Sequence, residues 1–172
     1  MKKRVWVIGL DKKEMITAQQ CINRDGSMRA VCILSAEALY QKTAMLAERG
    51  QENRPTLILL DWEIYEQDQG CLDCFQAPPL AGVPLFFMTS ARSREQDERC
   101  YELGATVVIE KPIGATSLTR IERAAWQYDM TRSYESALQK QIQKLKTARE
   151  IAALNEQLEN RNELLYRVFG KY

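Results

Sequence analysis

Histidine is absent from this chain of 172 residues, and that absence removes the commonest metal ligand and the commonest general base. Cys71-Leu72-Asp73-Cys74 has the spacing of half a zinc or dithiol site, but a structural zinc ion needs four ligands and no histidine can complete the set. A catalytic dithiol would need a strand-to-helix setting, whereas this pair lies in a short helix or loop before Pro78. Single-sign charge is also missing. With 24 basic and 23 acidic residues the net charge is +1, too little to gather nucleic acid or anionic lipid, so no direct nucleic-acid partner is expected. Trp6, Trp62 and Trp126 are accordingly expected to be packing residues rather than base-stacking ones. No apolar run reaches membrane-spanning length, and the basic start lacks a small-residue cleavage site, so neither a membrane span nor a signal peptide is expected. The cysteines number five, an odd count in mostly apolar segments, which suits reduced thiols and a cytoplasmic location. No glycine-rich phosphate loop is present.

What is present is a repeating unit. Val5-Trp6-Val7-Ile8 is a short apolar run, and Met15, Ala18 and Ile22 follow at helical spacing before a turn at Asp25-Gly26. Met28 to Leu34 repeats the run. Ser35 then stands as an N-cap before a helical stretch carrying Leu39, Met45 and Leu46 and ending near Gly50. Leu57-Ile58-Leu59-Leu60 is continuously apolar, as a strand buried on both faces of a parallel sheet must be. Val83 to Met88 supplies a fourth strand, Arg92 to Leu103 a helix closed by Gly104, and Thr106 to Ile109 a fifth strand. Five strands alternating with helices predict an α/β fold, a doubly wound five-stranded parallel sheet whose sites form at the carboxyl ends of the strands. Asp11, Asp61, Thr89 and Lys111 follow or end the first, third, fourth and fifth strands, so one edge of that sheet gathers all four.

After Pro112 the composition changes. No proline follows, Gly114 and Gly170 are the only glycines, and Glu, Lys, Gln, Arg, Ala and Leu dominate. One long helix is expected, about 80 Å if residues 116 to 168 are all helical. Ile151, Leu154, Leu158, Leu165 and Val168 fit a and d positions of one heptad frame, and Leu138, Ile142 and Leu145 fit a shifted one. This is the pattern of a coiled coil with a stutter, weakened by Arg161 at a d position. A homodimer through residues 116–168 follows from it, and an amphipathic helix laid back on the domain is the other arrangement the stripe allows. The expected domains are 1–113 and 114–172.

Leu57-Ile58-Leu59-Leu60-Asp61, Pro84-Leu85-Phe86-Phe87-Met88-Thr89 and Gly104-Ala105 followed by Lys111-Pro112 resemble the motifs of response-regulator receiver domains, over residues 4 to 113. The resemblance implies a flavodoxin-like sheet of order 2-1-3-4-5. It also implies Asp61 as acceptor of phosphate from a histidine kinase or phosphotransfer protein, with Thr89 bonding the phosphoryl group, Lys111 pairing with it, and a cis Lys111-Pro112 bond. Such a module is a phosphoacceptor rather than an autonomous enzyme. Magnesium is the implied cofactor, held by Asp11, Asp61 and the backbone carbonyl of Glu63.

The departures bear on mechanism. Receivers usually carry two acidic residues after the first strand, where this chain has Gly9-Leu10-Asp11. Matching Asp11 to the second acid places Met15, Ala18 and Ile22 on the apolar face of the first helix, whereas moving one residue earlier puts Glu14 on that face. On the first alignment Leu10 replaces the first acid, and metal affinity is expected to be weakened. Val108 stands where the family has its switch aromatic, Tyr65 where it often has proline, and Ser90 where it has a small residue. A phosphorylation-independent pseudo-receiver, serving as an interaction and dimerisation module, is the alternative. Asn160 to Tyr172 is similar to the junction that precedes class III nucleotide cyclase domains, which would make the chain the regulatory part of a larger protein.

Overall fold

The computed structural model describes residues 2–24, 26–49 and 53–169, with side chains for all of these except 49, 162 and 164–169. The turn at Asp25, the helix end at Gly50 and the cyclase-like junction at Gly170 to Tyr172 lie outside the described residues. The elements run β1 (Lys3–Ile8), α1 (Lys12–Asn23), β2 (Met28–Ile33), α2 (Ala36–Arg49), β3 (Leu57–Asp61) and α3 (Trp62–Gln67). A 3-10 turn (Gln69–Leu72), α4 (Asp73–Gln76), β4 (Leu85–Thr89), α5 (Arg94–Glu102), β5 (Val107–Glu110) and α6 (Ala115–Phe169) follow.

Strand alternation sorts the sheet residues into two cores. Trp6, Ile8, Ile58, Leu60, Phe87 and Val108 face one side, where Leu39, Leu46, Trp62, Tyr65, Phe75 and Cys100 cover them. Val5, Val7, Leu57, Leu59, Phe86, Met88 and Ile109 face the other, under Met15, Ala18, Ile22, Ile121 and Ala125. Both faces are dry, and for that reason β3 is apolar without interruption. All pairings are parallel, in the order β2-β1-β3-β4-β5, the doubly wound arrangement expected.

The compact unit extends to Asp129 rather than stopping at 113. Ile121 and Ala125, in the first turns of α6, are fully buried, and so that part of the helix packs as one of the covering layers. Trp126 departs from its expected packing role, being 58% exposed, because its position on α6 lies one residue past the buried Ala125. Met45, expected on the apolar face of α2, is also exposed.

The second unit, 130–172, is described as helix to Phe169. Its described side chains are all exposed apart from a half-buried Arg132, so it has no core of its own. Met130, Tyr134, Leu138, Ile142, Leu145, Ile151, Leu154 and Leu158 stand exposed along it. The side chains of Leu165 and Val168 lie outside the described ones. No helix among the described residues is long and apolar enough to cross a membrane.

Candidate functional site: the carboxyl edge of the sheet

Asp61 ends β3 and at the same time caps α3, its Oδ1 accepting the Glu63 N–H at 3.2 Å. A strand that turns at once into a helix leaves this carboxylate at the sheet edge, 1% exposed. Its other oxygen, Oδ2, accepts from Lys111 Nζ at 2.8 Å. Lys111 follows β5, and its own N–H donates to the Thr89 carbonyl oxygen at 2.8 Å, which ties the fifth strand's end to the fourth's. Lys111-Pro112 is cis, as is Pro78-Pro79.

Two further carboxylates face the Lys111 ammonium: Glu14 Oε2 at 3.5 Å and Glu63 Oε1 at 3.8 Å. Burial works against the Lys111 charge, but the hydrogen bond to Asp61 and the fields of Asp61, Glu14 and Glu63 outweigh it and hold the ammonium above the ordinary lysine value. Burial pushes the Asp61 carboxyl above the ordinary aspartate value, against the opposing pull of Lys111 and the Glu63 N–H.

Of the residues expected here, Asp61 and Lys111 meet directly. Thr89 is buried beside them, but its hydroxyl donates to the Ala91 carbonyl oxygen at 2.9 Å and lies 3.1 Å from the Gln96 amide. Asp11 caps α1, its Oδ1 accepting the Glu14 N–H at 2.8 Å. The α1 carboxylate that reaches Lys111 is therefore that of Glu14. Leu10 is buried in the core beneath α1. Gly9, after β1, leaves room for this corner of the sheet: with φ +91°, a Cβ there would lie 2.1 Å from Ile64 Cγ1 and 3.1 Å from Asp61 Cβ.

The carboxylates near Asp61 converge on an ammonium, and no three acidic, cysteine or histidine side chains among the described residues are grouped to hold a metal ion. Cys71 and Cys74 are free thiols. Burial, helped by Asp68 and Cys74, pushes Cys71 up to about 12, which leaves it an unreactive thiol.

Glu14 and Gln96 were not among the expected site residues; each sits at the third position after the residue that caps its helix. Asp11-x-x-Glu14 and Ser93-x-x-Gln96 read as capping boxes. In each case the cap side chain does bond the backbone N–H, while the Glu14 and Gln96 side chains turn elsewhere.

No protein-family profile matches the sequence, and no curated protein matches it. Solved structures do. A CheY-like response regulator receiver domain protein from Methanospirillum hungatei JF-1 is 18% identical with a TM-score of 0.60, over 76% of this chain and 99% of that one. The non-phosphorylated HemR receiver domain from Leptospira biflexa is 22% identical with a TM-score of 0.54, over 72% and 94%. A trimeric coiled coil of yeast Spc42 fused to another protein is 20% identical with a TM-score of 0.62, over 86% and 96%. The fold is thus that of a flavodoxin-like α/β protein. Within that class it is the fold of the CheY-like receiver domains, carried here with a long C-terminal helix.

Proposed function

We propose that the chain is a response-regulator receiver module, phosphorylated at Asp61 by a histidine kinase or phosphotransfer protein and signalling through its C-terminal helix. The observation that carries this reading is the Asp61–Lys111 pair at 2.8 Å, set at the carboxyl edge of a parallel sheet beside Thr89. In the transfer, an Asp61 oxygen attacks the phosphorus of a phosphohistidine on the partner. The P–O bond forms as the P–N bond breaks, and the departing imidazole takes up a proton. Lys111 neutralises charge on the phosphoryl oxygens, and the Thr89 hydroxyl donates to one of them. The implied magnesium ion, held by Asp11, Asp61 and the Glu63 backbone carbonyl, would offset further charge on the phosphoryl group. In this reading the chain is a phosphoacceptor rather than an autonomous enzyme.

The exposed apolar residues of α6 pair with those of a second copy in this reading, giving a homodimer through residues 116–168. The spacing supports it: Leu138, Ile142 and Leu145, then Ile151, Leu154 and Leu158, alternate by four and three.

A pseudo-receiver, docking without phosphate, is the second reading. The buried Leu10 and Val108 favour it, since they stand where receivers have the first acid and the switch aromatic.

The test is intact-mass analysis after exposure to a small phosphodonor, comparing the native chain with Asp61→Asn. One phosphoryl group gained by the native chain and lost in Asp61→Asn is the expected result. No gain at any magnesium concentration would sink the phosphoacceptor reading in favour of the pseudo-receiver.

A further inference from the structure

Thr89, Gln96 and Trp62 form a polar chain that leads away from Asp61. The Gln96 amide meets complementary partners in one orientation. Its Nε2 then donates to the Ala91 carbonyl oxygen at 2.7 Å and to Thr89 Oγ1 at 3.1 Å, while its Oε1 accepts from Trp62 Nε1 at 3.1 Å. The Gln96 backbone is fixed at the start of α5, its N–H donating to the Ser93 hydroxyl at 3.1 Å.

Trp62 directly follows Asp61. Its ring is nearly buried, 5.1 Å from that of Tyr65 and 5.6 Å from that of Phe87, and the Arg99 guanidinium of α5 lies 5.5 Å from its centroid. An indole N–H withdrawn from water needs an acceptor, and Gln96 Oε1 is placed to be it.

The strand position that faces Phe87 from β5 is Val108, fully buried. A branched aliphatic side chain has no ring to rotate. The aromatic mass beside the site comes instead from Trp62, Tyr65 and Phe87, and the polar connection to it passes through Gln96.

We propose that Gln96 is the positioning residue that ties Thr89 to Trp62, so that engagement of the Thr89 hydroxyl by a phosphoryl group on Asp61 is transmitted to the Trp62 indole and to the start of α5. The inference rests on the reading of Asp61 as acceptor. A hydroxyl has one proton. Once Thr89 donates it to a phosphoryl oxygen, the bond to Ala91 is lost, and Oγ1 swings away from Gln96 Nε2. The amide is planar and carries both the donor to Thr89 and the acceptor for Trp62, so a tilt at one end displaces the other. Gln96 touches neither phosphate nor donor.

The experiment follows the indole N–H resonances of the full-length, 15N-labelled chain, with Trp62 assigned by Trp62→Phe. Beryllofluoride with magnesium, and separately a small phosphodonor, are added while intact mass reports the extent of phosphorylation. At equal extents of modification the Trp62 resonance should move in the native chain, stay fixed in Gln96→Leu, and move again in Gln96→Glu, which keeps an acceptor for the indole. A Trp62 shift as large in Gln96→Leu as in the native chain would overturn the proposal. If mass and resonances show no modification at all, the acceptor reading has failed, and the relay is judged by Thr89→Val. Removing the hydroxyl should displace the Trp62 resonance in the native background and not in Gln96→Leu, and equal displacement in both would overturn the relay independently.

Discussion

Lys111 Nζ lies 2.8 Å from Asp61 Oδ2 with both side chains buried, yet the two partners are not equivalent. Lys111 has Glu14 and Glu63 in reserve at 3.5 and 3.8 Å, whereas no second cation lies within ion-pair distance of Asp61 among the described pairs.

Removal of one partner should therefore be lopsided. Lys111→Met strands a buried carboxylate and should cost about 3–5 kcal/mol at neutral pH, the usual penalty for an uncompensated buried charge. Asp61→Asn leaves Lys111 with two carboxylates and should cost nothing or stabilise. Urea unfolding of the two variants checks this, and equal losses would contradict it.

The pH dependence has a definite sign. The folded-state value of Asp61 is raised by burial above the ordinary 3.8, so the folded state holds this proton more tightly than the unfolded state does. Its contribution is fully present below the ordinary value and is lost as pH rises through the folded one. The stability difference between Asp61→Asn and the native chain should thus grow in favour of the variant from about pH 4 upward and then level off. Unfolding curves over that range measure it, and a difference that shrinks with rising pH would reverse the assignment.

Gly9→Ala places a methyl against Ile64 at a backbone angle of +91°. A loss of about 1–3 kcal/mol is expected from the overlap, with further strain from the left-handed backbone. In an Ile64→Ala background the overlap is relieved, so the same substitution should cost less. Equal costs in the two backgrounds, read by thermal unfolding, would remove Ile64 as the reason for the glycine.

Leu145 and Leu154 are 65% and 58% exposed. Their joint replacement by lysine should convert an oligomer to a monomer in sedimentation equilibrium while leaving the unfolding of residues 1–129 unchanged. A native chain that stays monomeric at high concentration would end the coiled-coil reading, and a trimer would correct the dimer.

Much of the fold was legible because its signals are local. Continuous apolar runs at residues 57–60 and 85–88 are what a sheet covered on both faces demands, and Ser35 and Gly104 mark helix ends at the positions where the structure has them. The position of Asp61 after β3 and of Lys111 after β5 was legible for the same reason. The roles of Asp11 and Glu14 were not, because both precede or open one helix and sequence spacing alone treats Glu14 as a capping residue. Trp126 misled for a related reason: helical period places it beside Ala125, but which neighbour faces the core depends on the rotation of α6 against the sheet.

The sequence by itself determined the alternation of strands and helices, the buried character of the sheet and the change to an uninterrupted helix after Pro112, since each depends on neighbours within a few residues. Only the tertiary structure decided which carboxylates share Lys111, that Gly9 closes the β1 end against Ile64, and that the Thr89 hydroxyl turns to Gln96. Those facts depend on strand register and on side-chain rotamers converging from four separate strands and the segments that follow them. A distance of 2.8 Å between residues fifty positions apart is set by packing, and no local pattern encodes it.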